Sequence, residues 1–114
     1  KRVNGKEEAL RDVLSKVQLG PDGYETAAVL TMTEKEAREC YSYLADRAGN
    51  TSYIDRDSTA FAKGITVTTY YQAKGLEFDQ VFVVGGESGN PFFKQFRYIS
   101  ATRALHELYV YDMP

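Results

Sequence analysis

The segment YYQAKGLEFD, residues 70–79, joins two apolar runs and concentrates residue types that could bind a ligand. Lys74 and Gly75 favour a sharp turn, because glycine adopts backbone conformations that other residues rarely adopt. Such a turn would present its own backbone and the carboxylate of Glu77 to a ligand. A Gly-containing turn between two strands, with no binding role, is the common explanation for such a pattern.

Arg103 is a second candidate, because a helix predicted over residues 91–104 places it on an apolar stripe. At 100° per residue, this stripe also holds Phe92, Phe96 and Ile99. An arginine in this place could extend over the domain edge toward an anion on a partner domain. The alternative, which accounts for most such arginines, is a side chain that reaches solvent and complements the helix carboxyl end.

Composition excludes several other kinds of site. A formal net charge of −2 provides no strongly basic surface for duplex DNA, although a small contact with a phosphate or a stacked base needs none. One cysteine, Cys40, and one histidine, His106, supply neither a disulfide framework nor a metal site. The sequence has no G-x-x-x-x-G-K-[ST] motif, so it lacks a Walker A phosphate loop, and GGESGN at 85–90 is typical of a surface loop.

The length of 114 residues suits a single domain, residues 1–114, with a modest core. No apolar run approaches membrane length and no signal peptide opens the chain, which begins at Lys1. We interpret the sequence as a piece of a larger cytoplasmic protein.

The hydrophobic pattern predicts alternating helices and strands, with a capping box at Thr33 and Glu36. Because the strands are continuous apolar runs, we expect an α/β fold: a mostly parallel sheet with helices on both faces. Ligands bind beyond the carboxyl ends of strands in such sheets, which predicts that the 70–79 segment lies at that edge. Helices are predicted for residues 6–17, from 34 to about 48 and 91–104, and strands for residues 27–32, 51–54, 65–70, 80–85 and 107–112, with a loop over 55–64.

Two segments resemble, in the right order, motifs V and VI of the UvrD/Rep-like superfamily 1 helicases. They are TTYYQAKGLEFDQVFVVG at 68–85 and RYISATRALHELYV at 97–110, while AAVLTMTEKEAREC at 27–40 is more weakly similar to motif IV. The resemblance covers about residues 25–112. It implies a C-terminal RecA-like motor domain, a P-loop NTPase-like fold without its own Walker A. It also implies that ATP and Mg²⁺ are held mainly by an N-terminal RecA-like domain of the same protein.

The resemblance also implies roles in ATP chemistry for individual residues. Arg103 matches the motif VI arginine finger, which would stabilise charge on the γ-phosphate as that group transfers. Glu77 matches the motif V glutamate that hydrogen-bonds the ribose, and Gly75 would allow close approach of the backbone. Lys74 belongs to the same motif, and it would face either the nucleotide or a structural carboxylate.

Thr69, Tyr70 and Tyr71 fall where relatives contact single-stranded DNA through its phosphate backbone and by base stacking. The implied function is therefore the second motor domain of an ATP-dependent DNA helicase or translocase. We expect the isolated fragment to be inactive, with no metal site of its own and no membrane partner.

Departures from the family pattern keep two alternatives open. Met32 occupies the position of a motif IV arginine that contacts the γ-phosphate in relatives, and Tyr71-Gln72 replaces a common His-Ser pair. A degenerate, non-catalytic interaction domain would explain Met32. The short span from Arg47 to Gly64 resembles the HelD and helicase IV branch, some members of which act on RNA polymerase. The second alternative is thus the motor domain of a HelD-like RNA polymerase recycling factor.

Overall fold

A computed structural model of the protein describes residues 1–54 and 64–113. Within these ranges the chain forms three helices and a sheet of five strands, every pair of which is parallel. The elements are α1 (Lys6–Lys16), β1 (Thr26–Thr31), α2 (Glu34–Ala45), β2 (Thr51–Tyr53), β3 (Gly64–Thr69), β4 (Phe78–Val83), α3 (Phe93–Ala101) and β5 (Ala104–Val110).

The sheet has the strand order β2-β3-β1-β4-β5, so β1 lies at its centre. Thr31 at the end of β1 pairs with Thr69, the end of β3, and Ala27 pairs with Gln80 of β4. Every residue of β1 and β3 is buried, as expected of strands covered on both faces. The predicted parallel α/β fold is confirmed.

Helices cover both faces of this sheet. On one face, α1 and α2 bury Val13 and Leu44 in a cluster with strand residues such as Val29 and Phe82. On the other face, Phe96 of α3 packs in a second cluster, whose strand residues include Leu30, Phe78, Val81 and Val83. The two clusters follow from the alternation of side chains along each strand.

The predicted capping box is present at the start of α2. The hydroxyl of Thr33 accepts a hydrogen bond from the Glu36 N–H, and the Glu36 carboxylate accepts one from the Thr33 N–H, each at 3.2 Å. The helix ends at Ala45, earlier than predicted, although the Ala48 N–H still bonds to the Leu44 carbonyl at 2.7 Å. The loop predicted over 55–64 lies outside the described residues, except Gly64, which begins β3.

The helix predicted over 91–104 was wrong at both ends. The Asn90 side-chain oxygen accepts from the Phe92 N–H at 2.8 Å, the bond expected of a capping residue, but residues 91 and 92 form a turn and α3 begins only at Phe93. The helix ends at Ala101 because the Arg103 carbonyl accepts from the Phe78 N–H at 2.9 Å, which draws the chain into β5. Strand pairing therefore begins at Ala104, three residues before the predicted strand.

In the described parts of the chain, no helix is both long and apolar enough to cross a membrane.

Candidate functional site

The segment between β3 and β4, residues 70–77, runs from the carboxyl ends of the strands (the carboxyl edge) to their amino ends (the amino edge). It leaves Thr69 at the carboxyl edge and enters β4 at Phe78, the amino edge. Along the way Ala73 is fully buried in the cluster beneath α3. The prediction that the whole segment lies at the carboxyl edge was therefore wrong for its second half, since a connection between parallel strands must cross the sheet.

The predicted DNA-contacting residues lie at the carboxyl edge, with different exposures. Tyr71 is 44% exposed, whereas Tyr70 is 9% exposed and Thr69 is fully buried. The Tyr70 ring packs edge-on against Tyr71 and Phe96, with centroids 5.4 and 5.5 Å away. Tyr71 is thus the member of this group whose ring is open to a ligand, and Tyr70 supports it from beneath.

Gln72 joins this edge to α2 through a set of hydrogen bonds that sequence reasoning missed. Its side-chain oxygen accepts from the Thr69 hydroxyl at 2.9 Å. The Thr68 hydroxyl lies 3.3 Å from the same oxygen, but its one proton goes to the Ile54 carbonyl at 2.6 Å. The Gln72 side-chain amide donates to Glu34 of α2 at 3.1 Å. Thr69 therefore uses its hydroxyl inside the protein, and it fixes the start of the segment. The one signal that the sequence carries at Gln72 is its departure from the family pattern.

The predicted nucleotide-contacting residues of the segment lie toward the amino edge. Lys74, Gly75 and Glu77 are all exposed. Gly75 has a φ of +85°, and among the described residues only Gly75 itself and its two chain neighbours have atoms within 4 Å of the place where a Cβ would stand. The positive φ explains why glycine occupies this turn, and the open space leaves its backbone accessible to a ligand.

Arg103 lies beside Glu77 at this amino edge. Its carbonyl accepts from the N–H of Phe78, the residue after Glu77, and its own N–H donates to Ser100 at 3.1 Å. Its Nη2 donates to the Thr102 hydroxyl at 3.1 Å, while its buried Nε has no hydrogen-bond partner among the described residues. The structure thus brings Arg103 and Glu77 together, although Arg103 lies in a turn and not within a helix.

Met32 lies far from Arg103. Gln80 pairs with Ala27, so Phe78 and its partner Arg103 are level with residue 25, directly before the central strand. Met32 follows the other end of that strand, which places it roughly 20 Å away at about 3.3 Å per residue. Met32 and Arg103 therefore lie at opposite ends of the strands.

The contacts of Cys40 and His106 indicate structural roles and not catalytic ones. Burial, the largest influence, raises the pKa of the Cys40 thiol to about 12, so the thiol stays protonated and unreactive. The His106 ring stacks on Tyr24 at 5.3 Å between centroids, and its Nε2 lies 3.6 Å from an oxygen of Asp79. Residues 1–54 and 64–113 contain no group of three or more His, Cys, Asp or Glu side chains that could hold a metal ion.

Residues 64–111 match the family described as UvrD-like helicase C-terminal domain. The match includes both the segment from β3 to β4 and Arg103. A solved structure, described as the C-terminal domain of a possible DNA helicase from Lactobacillus plantarum WCFS1, has the same fold, with a TM-score of 0.74. The two sequences are 21% identical over 98% of this chain and 71% of the other chain. No curated protein matches this sequence significantly.

Proposed function

We propose that this chain is the second motor domain of an ATP-dependent DNA helicase or translocase. The observation that carries the proposal is the backbone hydrogen bond from the Phe78 N–H to the Arg103 carbonyl, which brings the backbones of Glu77 and Arg103 next to each other at the amino ends of the strands. The match of residues 64–111 to the UvrD-like helicase C-terminal domain family supports it independently. In this proposal Arg103 is the arginine finger for ATP bound to an N-terminal RecA-like domain.

The surroundings of Arg103 suit this role. A guanidinium carries five N–H donors, and one of them is used by Thr102. Its backbone is fixed at both the N–H and the carbonyl. Fixed donors aimed at developing charge stabilise a transition state without reorganisation, and an arginine finger typically contributes about 10³–10⁵ in rate.

The residues present fit one side of a nucleotide. Glu77 is exposed and can accept from a ribose hydroxyl, and the open backbone at Gly75 allows close approach. Lys74, exposed in the same turn, adds a positive charge. Mg²⁺ and the Walker A loop belong, in this proposal, to the N-terminal domain. When ATP is bound, these residues would complete its site from the other side of the cleft.

Single-stranded DNA is the partner proposed for the opposite, carboxyl edge. Tyr71 offers an exposed ring for base stacking, Tyr70 supports that ring, and Thr69 with Gln72 holds the backbone in place. The segment from β3 to β4 would then connect the DNA contact to the ATP contact.

Replacement of Arg103 tests the catalytic part of this proposal. In the full-length protein, Arg103→Ala should reduce DNA-stimulated ATP turnover by about 10³-fold while the melting temperature stays unchanged. Arg103→Lys should not restore turnover, because an ammonium group cannot reproduce the planar set of donors. Arg11→Ala, on the exposed side of α1, is the matched control and should turn over ATP normally. Normal turnover by Arg103→Ala would contradict the proposal.

A HelD-like RNA polymerase recycling factor remains the second candidate, favoured by the short connection from α2 to β3. The ATP chemistry would be the same in both cases, and only the partner would differ. Co-purification of the full-length protein with RNA polymerase, in the absence of DNA, would favour this candidate. A degenerate interaction domain is less well supported, because Met32 is the one sequence feature that favours it.

A further inference from the structure

We infer that Thr102 positions the Arg103 guanidinium for catalysis, an inference that rests on the proposed function of Arg103. Thr102 is the residue that directly follows α3, with backbone angles close to helical, φ −75° and ψ −5°. Its side chain is the one group among the described residues that hydrogen-bonds the Arg103 side chain.

The direction of the hydrogen bonds explains why a hydroxyl suits this position. The Thr102 hydroxyl donates its single proton to the Ile99 carbonyl at 2.7 Å. With that proton committed, the oxygen presents lone pairs only, and it accepts from Arg103 Nη2 at 3.1 Å. The carbonyl at the end of α3 therefore orients the hydroxyl, and the hydroxyl orients the guanidinium.

The contact also restricts how the arginine can move. The Arg103 backbone is held by Ser100 and Phe78, so its remaining freedom lies in the side-chain torsions. A hydrogen bond near the guanidinium tip limits those torsions before ATP arrives. A guanidinium fixed in advance loses less entropy when it meets the phosphate. Thr102 therefore acts on the rate through Arg103 and does not itself touch the nucleotide.

Three variants of the full-length protein test this inference. Thr102→Val keeps the shape of the side chain but removes both hydrogen bonds, and it should lower kcat for DNA-stimulated ATP hydrolysis by roughly tenfold to a hundredfold. KM for ATP should change by less than about twofold, because the interaction matters in the transition state. Thr102→Ser keeps the hydroxyl and should restore most of kcat.

The third variant, Thr51→Val, is a matched control. Thr51 donates its hydroxyl to the Ala48 carbonyl at 2.7 Å after α2, the same local bond as in Thr102, and is far from Arg103 along the sheet. It should leave kcat unchanged. If Thr51→Val lowered kcat as much as Thr102→Val, or if Thr102→Ser failed to restore it, the role of Thr102 would be structural and the inference wrong.

Arg103→Ala separates this inference from the proposed function. Loss of turnover in Arg103→Ala with normal kcat in Thr102→Val would overturn the positioning role alone. Normal turnover in Arg103→Ala would overturn the proposed function, and the inference with it.

Discussion

At the scale of single residues, Asp12 attaches α1 to the rest of the molecule. Its carboxylate, 10% exposed, accepts from the Lys1 and Lys16 ammonium groups at 2.9 and 3.0 Å. It also accepts from the Tyr111 hydroxyl at 2.6 Å. Burial alone would raise the pKa of Asp12, but the hydrogen bonds from these three groups lower it well below its ordinary value of 3.8. The ionised form therefore stabilises the fold.

The stability gained from Asp12 should depend on pH. Because the pKa is lower in the folded state, the gain is complete above about pH 5 and is lost as the pH falls below 3.8. Asp12→Asn should lower the free energy of unfolding at neutral pH by about 1–3 kcal/mol, and the difference from the parent chain should shrink toward about pH 2. Urea unfolding of the 114-residue chain at several pH values measures this.

Asp22→Asn, in the exposed loop after α1, is the control for Asp12→Asn and should change stability little. A stability difference for Asp12→Asn that stayed constant across the acid range would contradict the role given to this carboxylate.

At the scale of elements, Glu36 joins the start of α2 to the loop after β4. Besides closing the capping box, its carboxylate accepts from the Gly86 N–H at 2.8 Å. Gly85 lies directly against it: a Cβ at Gly85 would stand 2.5 Å from a Glu36 oxygen, and the φ of Gly85 is +95°. A side chain at position 85 would therefore strain the backbone and displace the carboxylate from both partners.

Gly85→Ala should accordingly destabilise the domain by roughly 1–3 kcal/mol. Gly89→Ala is the comparison within the same loop, because the space beside Gly89 is open and its φ is not in the positive range. Thermal unfolding of the two variants measures the difference. Equal melting temperatures would show that Glu36 can move without loss.

Elements were predictable from the sequence where their signals were local. The apolar runs of β1 and β4 and the capping box of α2 depend on neighbouring residues, and the structure confirms all three. The end of α3 was not predictable, because the bond between Phe78 and Arg103 joins residues distant in sequence. The Gln72 hydrogen bonds were missed for the same reason, since Glu34 approaches Gln72 only once β1 and β3 are paired.

At the scale of the whole molecule, the two proposed contacts lie at opposite edges of one sheet. Tyr71 follows the carboxyl end of β3, and Arg103 precedes the amino end of β5. Residues 70–77 connect the two edges across the face covered by α3. Binding at the two places should therefore be separable by mutation, although both would contribute to the proposed DNA-dependent ATPase.

Tyr71→Ala should weaken binding of an oligo-dT single strand to the full-length protein by about tenfold or more, the usual effect of losing one stacked aromatic ring. ATP turnover without DNA should stay unchanged, and Arg103→Ala should show the reverse pattern. Tyr98→Ala is the matched control, since this ring is 72% exposed on the outer side of α3. Fluorescence anisotropy measures the affinity, and equal losses for Tyr71→Ala and Tyr98→Ala would contradict the DNA site.

The central position of β1 also bears on how the chain folds. Its partners are distant in sequence: residue 26 pairs with residue 64, and residue 27 pairs with residue 80. Forming these pairs requires closure of long loops before the strands gain any stabilisation. We therefore expect slow folding, with β1 apolar and exposed until late. During synthesis, β1 leaves the ribosome well before β4, so its two pairing edges are not both occupied until most of the domain has emerged.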